Sequence, residues 1–349
     1  MNRLSKVPVI ILSGFLGSGK TTLLLRLLQE ANRRELNPAV LMNELGQYDV
    51  DGGLILTDLP DASVEKLLDG CICCSKKVEV AQCVSRLLDR NPDLLLIELT
   101  GVANPEEVAD CLTEPNLLNR VELKHIITVL DAEWVLEYNS IFNTDRQLVH
   151  TLRRQMEVAD TVLVNKKDLV PSSHLSKIEK TIKKQNESTA IHFTLYSEMN
   201  LDSVLSGLQP IVRSTPLVKR TTFKVIDPVH KQVHSPDDHK HNNSEKESFS
   251  RVQTVTLSLA ENGPITPKQI ERFLKQWGKS LLRAKGYLAL ADHTRKFVQF
   301  AGNRINWQST GYSGPSYLVL IGIDLDRDRI DQEWVKILNS TTRVPRGTV

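Results

Sequence analysis

A glycine-rich turn between an apolar strand and a helix constrains this chain more than any other feature. In the segment GFLGSGKTT, Gly14, Gly19, Lys20 and Thr21 follow the pattern G-x-x-x-x-G-K-[ST]. Glycines allow backbone N–H groups to turn inward around phosphate oxygens, while the lysine reaches the β- and γ-phosphates and the hydroxyl ligates Mg²⁺. The run VPVIILS before the turn is typical of a buried strand, and TTLLLRLLQE after it is typical of a helix whose N-terminal dipole faces the phosphates. This context disfavours the simpler alternative, a glycine-rich turn with a nearby lysine, and predicts a nucleotide site.

A second apolar strand ends in an acidic residue, in the segment LLLIELTG. Glu98 at its end is expected to reach the Mg²⁺ ion through water, and Gly101 allows its N–H to approach the γ-phosphate. The alternative is a buried strand with a glutamate at its edge. Because the segment follows a phosphate loop, we favour the nucleotide role.

A third strand, TVLVN, leads into the sequence Asn165-Lys166-Lys167-Asp168. This N-K-x-D pattern is the guanine-reading loop of GTPases. Asp168 can accept hydrogen bonds from guanine N1–H and the 2-amino group, whereas adenine has neither donor and would leave the carboxylate unpaired. Lys166 would pack its aliphatic stem along the base. A polar turn after a strand is the alternative, but the order of the three motifs favours GTP over ATP.

The spacing of apolar segments predicts an α/β fold with a mostly parallel sheet, since helical stretches lie between most of the strands. We expect strands in this half of the chain at residues 7–13, 39–43, 94–98, 126–131, 161–165 and 191–196. All three nucleotide motifs fall at the carboxyl ends of strands, where α/β sheets bind their ligands.

Composition excludes several classes of protein. The chain has 349 residues, 40% of them hydrophobic and 25% charged, as in soluble globular proteins of one large or two ordinary domains. A formal charge of only +2 gives no argument for nucleic acid or an anionic membrane as partner. No apolar run is long enough for a membrane span, and the run at residues 7–12 is too short for a signal peptide core. We therefore expect a cytoplasmic protein.

Three of the five cysteines, Cys71, Cys73 and Cys74, lie within the short segment GCICC. In a reducing compartment, such a cluster binds metal or performs redox chemistry more often than it forms structural disulfides. If the segment is extended, Cys71 and Cys73 project to one face and Cys74 to the other. Structural Zn²⁺ sites usually take four ligands, so a loop that supplies two or three leaves an open position, as a protein that hands metal on would need. A redox dithiol and simple burial of small side chains remain alternatives.

These motifs, taken in order, carry a resemblance to a known family. The segments GFLGSGKTT, NELG, GCICC, IELTG and NKKD, followed by LLRAKGYL and YLVLIGIDLD, resemble the CobW-type GTPases, a metallochaperone family related to the urease and hydrogenase maturation GTPases. The resemblance covers nearly the whole chain. It implies a P-loop GTPase domain with a small ferredoxin-like α+β domain after it, and GTP-dependent delivery of a transition metal, mostly zinc and in some members cobalt or iron, to metal-dependent client proteins.

The resemblance also implies roles for individual residues. The phosphate loop comprises Gly14, Gly17, Ser18, Gly19, Lys20, Thr21 and Thr22. The remaining matches are Glu98 and Gly101 for the Mg²⁺ and γ-phosphate segment, Asn165, Lys166 and Asp168 for guanine, Cys71, Cys73 and Cys74 for metal, and Asn43 and Glu44 for a switch-like segment. Lys20, Thr21 and Glu98 would be the catalytic residues. Some members carry acids where this chain has Met42 and Gln47, and the short N-terminal docking tag of eukaryotic members is not found here.

The pattern loosens after residue 213, which predicts three parts: a GTPase domain at 1–213, a polar linker at 214–250 and a C-terminal domain at 251–349. In the last part we expect strands at 251–259, 286–290, 297–301 and 316–323 and helices at 266–282 and 327–338, which is a small α+β domain on an antiparallel sheet. It contains no catalytic cluster, so a docking or regulatory surface is expected.

The linker also contains four histidines, His230, His234, His239 and His241. Such side chains can gather metal weakly at neutral pH, or they can be part of a solvated loop without a ligand. Asp131, Cys83 and Cys111 are interpreted as structural.

Together these features predict a GTPase that delivers metal. Its turnover is expected to be slow, because Val102 occupies the position that holds a water-positioning glutamine in Ras-like enzymes. Glu44 or Asp49 is the candidate for orienting water. A homodimer or a client would complete the metal site. Two alternatives remain: a GTP-switched metal sensor or storage protein that does not deliver, and a redox-regulated GTPase.

Overall fold

The computed structural model describes residues 6–42, 64–66, 77–140, 146–210, 251–259, 265–292, 294–301 and 304–340. Contacts between residues divide the chain into two compact units, 1–250 and 251–349. The linker predicted at 214–250 lies outside the described residues and stays a prediction. Among the described residues, no helix is both long and apolar enough to cross a bilayer.

The first unit is built on a parallel sheet, to which the described residues contribute seven strands. These are β1 (Val7–Ser13), β2 (Pro38–Met42), β3 (Val64–Lys66), β4 (Leu94–Glu98), β5 (Val121–Asp131), β6 (Thr161–Asn165) and β7 (Ala190–Phe193). Their spatial order is β3-β2-β4-β1-β5-β6-β7, and every neighbouring pair is parallel. The chain order reverses at β1, between β4 and β5, so ligands are expected at the carboxyl end of β1.

Helices connect these strands and cover the sheet. They are α1 (Lys20–Arg33), α2 (Lys77–Leu88), α3 (Pro105–Cys111), α4 (Val135–Tyr138), α5 (Arg146–Val158), α6 (Ser172–Gln185) and α7 (Asp202–Leu205). The strands β1, β4 and β6 are continuous apolar runs, as expected of parallel strands covered on both faces. Leucines of α1 pack with Ile10 and Leu12 into one core cluster, which confirms the predicted α/β class. Cys83 and Cys111 are buried, as expected of structural residues.

The second unit is an antiparallel sheet with two helices. Its described elements are β8 (Val252–Leu259), α8 (Pro267–Lys275), β9 (Leu281–Ala289), β10 (Arg295–Ala301), β11 (Arg304–Ser309), β12 (Ser316–Ile323) and α9 (Arg327–Ser340). The strand order is β11-β10-β9-β12-β8. Since β12 lies antiparallel to both β8 and β9, these two strands are parallel with one strand between them, which is the split β-α-β arrangement of ferredoxin-like folds. Phe273 and Trp334 join the helices to this sheet in one core.

Several predicted elements of this unit differ from the structure, and the strand expected at 286–290 begins earlier, at Leu281. The helix expected at 266–282 begins as predicted, with Thr266 and Gln269 in a reciprocal capping box, but it ends at Lys275. Gly278 then takes a φ of 54° in a 3₁₀ turn, which breaks the helical path before β9 starts at Leu281. The strand β11 was not predicted: Ile305 and Trp307 alternate with polar residues and pack against the core, but two apolar residues are too short a pattern to indicate a strand.

A partly buried histidine in β5 predicts a pH dependence for the stability of the first unit. Burial lowers the pKa of His125 to about 4, and the neighbouring Lys124 ammonium adds to the effect. The ring Nε2 lies 2.9 Å from Thr161 Oγ1. Because the folded pKa lies below the ordinary value of 6.5, the unfolded chain binds the proton first, and stability is lost as pH falls from 6.5 towards 4.

The free energy of unfolding is measured with urea at pH 7 and at pH 5. On going from pH 7 to pH 5, it should fall by about 2 kcal/mol more in the wild-type protein than in His125→Asn. His150→Asn is the matched control, because His150 is exposed on α5 and its removal should leave the pH dependence unchanged. Equal pH dependence of wild type and His125→Asn would contradict the prediction.

Candidate nucleotide-binding site

The phosphate loop joins the end of β1 to the start of α1, and its glycines are required by the geometry. Gly14 has a φ of 127° and Gly19 a φ of 107°, both in the region that side chains rarely adopt. A Cβ on Gly14 would lie 2.0 Å from the Val129 carbonyl oxygen, and a Cβ on Gly19 would lie 2.4 Å from the Asn165 amide nitrogen. Neither position can accept another residue without moving the loop.

Lys20 lies inside this loop. It is the first residue of α1, is 6% exposed, and donates a hydrogen bond from Nζ to the Phe15 carbonyl oxygen at 3.0 Å. Ser18 is 1% exposed, and its Oγ has no hydrogen-bond partner among the described residues. A buried hydroxyl without a partner is costly unless a ligand supplies one. The loop therefore holds both a buried cation and an unused polar group.

The second motif lies directly against the first. Thr21 Oγ1 donates to Glu98 Oε1 at 2.8 Å, although the two residues are 77 positions apart. Glu98 is 7% exposed, and its other oxygen, Oε2, has no partner within the described part of the chain. Burial raises the pKa of the Glu98 carboxyl, while the Thr21 hydrogen bond and the Lys20 ammonium partly offset this. A hydroxyl beside a buried carboxylate with an unused oxygen fits a divalent cation, which would stabilise the ionised form.

Gly101 brings the loop after β4 against the phosphate loop. A Cβ on Gly101 would lie 2.7 Å from the Leu16 backbone nitrogen, so the two backbones are in close contact there. The prediction that the Gly101 N–H approaches the γ-phosphate stays a prediction.

The asparagine of the third motif joins separate parts of the site. Asn165, which ends β6, is 3% exposed and donates from Nδ2 to the Ser18 carbonyl oxygen at 2.9 Å. Its Oδ1 accepts from Thr194 Oγ1 at 3.2 Å and from the Ser197 backbone N–H at 2.8 Å. Asn165 therefore fixes the phosphate loop to the loop after β7, and both the nitrogen and the oxygen of its amide take part.

Ser197 is a site residue that the sequence did not reveal. It is fully buried, and its Oγ donates to the Gly19 carbonyl oxygen at 3.0 Å. It follows β7, a strand of only four residues, in a segment without a motif that we could recognise. The sequence feature that could have indicated Ser197 is its position after a strand, because the segment after β7 lies at the same edge of the sheet as the three motifs.

The remaining residues of the third motif lie at the rim. Lys166 has a φ of 59° and donates from Nζ to Asp131 Oδ2 at 2.7 Å. Asp131, at the end of β5, was interpreted as structural. It holds the side chain of Lys166, which is the residue expected to pack on the base. Asp168 is exposed in the 3₁₀ turn that follows, and its carboxylate has no partner among the described residues. The carboxylate is therefore accessible to a ligand.

The proposed metal ligands Cys71, Cys73 and Cys74 lie outside the described residues. So do Asn43, Glu44, Gln47, Asp49 and the four linker histidines. Within the described residues, no group of three or more histidine, cysteine or acidic side chains could hold a metal ion. The metal site stays a prediction from the sequence.

The fold and this loop define the class, an α/β protein with a P-loop. A family model described as "CobW/HypB/UreG, nucleotide-binding domain" matches residues 8–193, and the chain belongs to this family. A second model, "Cobalamin synthesis protein cobW C-terminal domain", matches residues 254–338. The resemblance stated from the motifs is confirmed.

Several curated proteins similar to this chain have names that refer to zinc. The "Zinc-regulated GTPase metalloprotein activator 1" of Dictyostelium discoideum is 31% identical over 231 residues, which is 58% of this chain and 48% of the relative. The "Zinc chaperone YeiR" of Escherichia coli K12 is 35% identical over 159 residues, covering 45% of this chain and 46% of the relative. The chain thus spans about half the length of the curated relatives it matches. The crystal structure of "Zn(II)-bound YjiA GTPase from E. coli" matches 96% of this chain and 99% of that chain, with 20% identity and a TM-score of 0.45.

Proposed function

We propose that this protein is a GTP-dependent metallochaperone that hydrolyses GTP and delivers zinc to client metalloproteins. The observation that supports the proposal most strongly is the contact between Thr21 and Glu98 beside the buried Lys20, because a hydroxyl, a buried carboxylate and an ammonium group side by side are the groups that a Mg²⁺–nucleotide site requires. Membership of the family and the zinc-related names of the relatives support the metal part of the proposal.

In this proposal, the phosphate loop holds the triphosphate and Lys20 supplies positive charge to its β- and γ-phosphates. The residues around the phosphates are Gly14, Gly17, Ser18, Gly19, Lys20, Thr21 and Thr22. The Thr21 hydroxyl would ligate Mg²⁺, Glu98 would reach the ion through water, and Gly101 would offer its N–H to the γ-phosphate. Asn165 orders the guanine loop, Lys166 packs on the base, and Asp168 accepts from the two guanine donors.

Zinc is the cargo in this proposal, held by the thiolates of Cys71, Cys73 and Cys74. A ligand set of two or three leaves the coordination sphere open, so that a client, or a second copy of this chain, completes it during transfer. These cysteines lie between Thr21 and Glu98 in the chain, in the region where other GTPases carry segments that respond to the γ-phosphate. The nucleotide state could then change the affinity for zinc.

The affinity for zinc should be about 5- to 150-fold higher with a non-hydrolysable GTP analogue than with GDP, the range of typical coupling energies. The physical reason is that a loop ordered by the γ-phosphate holds the thiolates at a fixed separation, which reduces the entropy lost on binding. The measurement is a competition titration against a zinc chelator with each nucleotide, under reducing conditions.

The matched control replaces Cys83, a buried cysteine on α2, with alanine and leaves the three proposed ligands intact. Substituting Cys71, Cys73 and Cys74 should abolish the difference between nucleotides, whereas Cys83→Ala should preserve it. Equal zinc affinity in both nucleotide states would contradict delivery driven by GTP. If zinc instead stays bound to the protein through GTP turnover in the presence of an acceptor, the chain is a sensor and not a chaperone.

A further inference from the structure

Gln155 on α5 is a buried amide that contacts the loop after β4. Its side chain is 0% exposed, and its Nε2 donates to the Gly101 carbonyl oxygen at 3.2 Å and to the Ala103 carbonyl oxygen at 3.0 Å. Both acceptors belong to the loop that contains Gly101. One side chain, 52 to 54 positions away in sequence, therefore holds the segment that is proposed to meet the γ-phosphate.

Chemistry fixes the orientation of this amide. The opposite orientation would place the acceptor oxygen of Gln155 against two carbonyl oxygens, which cannot donate. The Oε1 atom is buried and has no partner within the described residues, so the two bonds from Nε2 are the interactions that its side-chain amide makes there. Holding this loop is thus what the polar group of Gln155 does in the structure, and the buried position makes losing the donor costly.

The backbone carbonyl of Gln155 is connected to the start of the phosphate loop through two hydroxyl groups. Its carbonyl oxygen accepts from Thr128 Oγ1 at 2.9 Å, and Thr128 Oγ1 lies 2.7 Å from Ser13 Oγ. Because the single hydroxyl proton of Thr128 is used on Gln155, Ser13 must donate in the second bond. Ser13 is the last residue of β1 and directly precedes Gly14. All three of these polar residues are fully buried, so this chain of hydrogen bonds joins both nucleotide loops through Gln155.

The helix that carries Gln155 is also fixed to the helix that follows the Gly101 loop. Arg154 Nε donates to Glu106 Oε1 on α3 at 2.7 Å, and Arg154 Nη1 donates to Glu157 Oε2 at 2.8 Å. Glu106 is only 6% exposed. The ion pair therefore joins α5 to α3, and Gln155 on α5 contacts the backbone of the Gly101 loop directly.

We propose that Gln155 is a positioning residue that sets the Gly101 loop against the phosphate loop and so determines how well the protein distinguishes GTP from GDP. This inference rests on the proposed GTP-binding function. Only GTP has a γ-phosphate for the Gly101 N–H to contact, so releasing the loop should weaken the binding of GTP and leave that of GDP nearly unchanged.

The test is to measure the affinities for GDP and for a non-hydrolysable GTP analogue in the wild-type protein and in Gln155→Met, which keeps the size of the side chain but removes its donors. The ratio of GTP-analogue to GDP affinity should fall about tenfold, as expected for the loss of one to two hydrogen bonds. Gln155→Glu is the second variant. It keeps the shape and can donate at most one hydrogen bond when protonated, so it should change the ratio in the same direction.

The matched control is Asn186→Met. Asn186 is another buried amide, 3% exposed, whose Nδ2 donates to the Met156, Glu157 and Ala159 carbonyl oxygens at the C-terminal end of α5, and none of these bonds contacts the Gly101 loop. Its loss should destabilise the fold by a similar amount and leave the nucleotide ratio unchanged. An unchanged ratio in folded Gln155 variants, or an equal fall in Asn186→Met, would overturn the inference. A wild-type protein that binds neither nucleotide would instead overturn the proposed function.

Discussion

The Lys20→Ala variant should hydrolyse GTP about 100- to 1,000-fold more slowly than the wild-type protein, the loss typical of removing one preorganised group that stabilises charge in a transition state. Lys20 is buried at the start of α1, where little water screens its charge. Negative charge that develops on the transferred phosphoryl group would lose this counterion. The measurement is single-turnover hydrolysis at saturating GTP, so that weaker binding does not contribute.

Lys6→Ala is the matched control for this experiment. Lys6 also donates from Nζ to a backbone carbonyl oxygen, that of Leu118 at 2.8 Å, and it precedes β1 at the amino end of the strand, away from the nucleotide edge. The control therefore removes the same charge and the same kind of hydrogen bond, and it should keep wild-type turnover. Wild-type turnover in Lys20→Ala would place the active site elsewhere.

The strands that flank the nucleotide motifs could be predicted from the sequence almost to the residue. The expected strands at residues 7–13, 94–98 and 161–165 coincide with β1, β4 and β6. Each is an apolar run, buried along most or all of its length, that ends where a polar motif begins, and this sharp change in composition marks its boundary. By contrast, β5 begins at Val121 and not at 126, because Glu122, Lys124 and His125 interrupt the apolar pattern of its first half.

The motifs also predicted which residues lie near one another at the candidate site, because their positions at strand ends fix a common edge of the sheet. The contact between Thr21 and Glu98 follows from this rule. What could not be predicted is the set of polar residues that join these motifs. Ser197, Gln155 and Asp131 are single polar residues in segments without a motif. The sequence alone does not distinguish a polar residue that will be buried from one that will be exposed.

Their roles depend on partners that are distant in sequence, such as Gly19, which lies 178 positions from Ser197. Such contacts are set by the packing of whole elements and not by local pattern. The same holds for Asn165: its sequence motif indicated a guanine contact, while its amide in the structure joins the phosphate loop to the loop after β7. The motif thus identified the residue, and the fold shows the interactions that hold the loop in place.

Replacing Asp168 with asparagine should weaken GTP binding by about 3 kcal/mol or more, at least about a hundredfold, because two hydrogen bonds to a charged acceptor are lost or reversed. The new amide oxygen can accept from N1–H, but its NH₂ group opposes the 2-amino group of guanine. Xanthine carries a carbonyl oxygen at that position, so Asp168→Asn should bind xanthosine triphosphate better than GTP, and the wild-type protein should show the opposite preference. The measurement is the affinity of both proteins for both nucleotides.

Lys167→Ala is the matched control for this exchange, because Lys167 is the exposed neighbour of Asp168 in the same turn and contacts Thr194 through its backbone N–H, which the substitution retains. The control should keep the wild-type order of affinities. A reversal of preference has a stronger meaning than a loss of binding, since a disturbed or unfolded loop weakens both nucleotides and cannot favour xanthosine triphosphate. Unchanged GTP affinity in Asp168→Asn, or an equal loss for both nucleotides, would contradict the assignment of Asp168 as the guanine-reading residue.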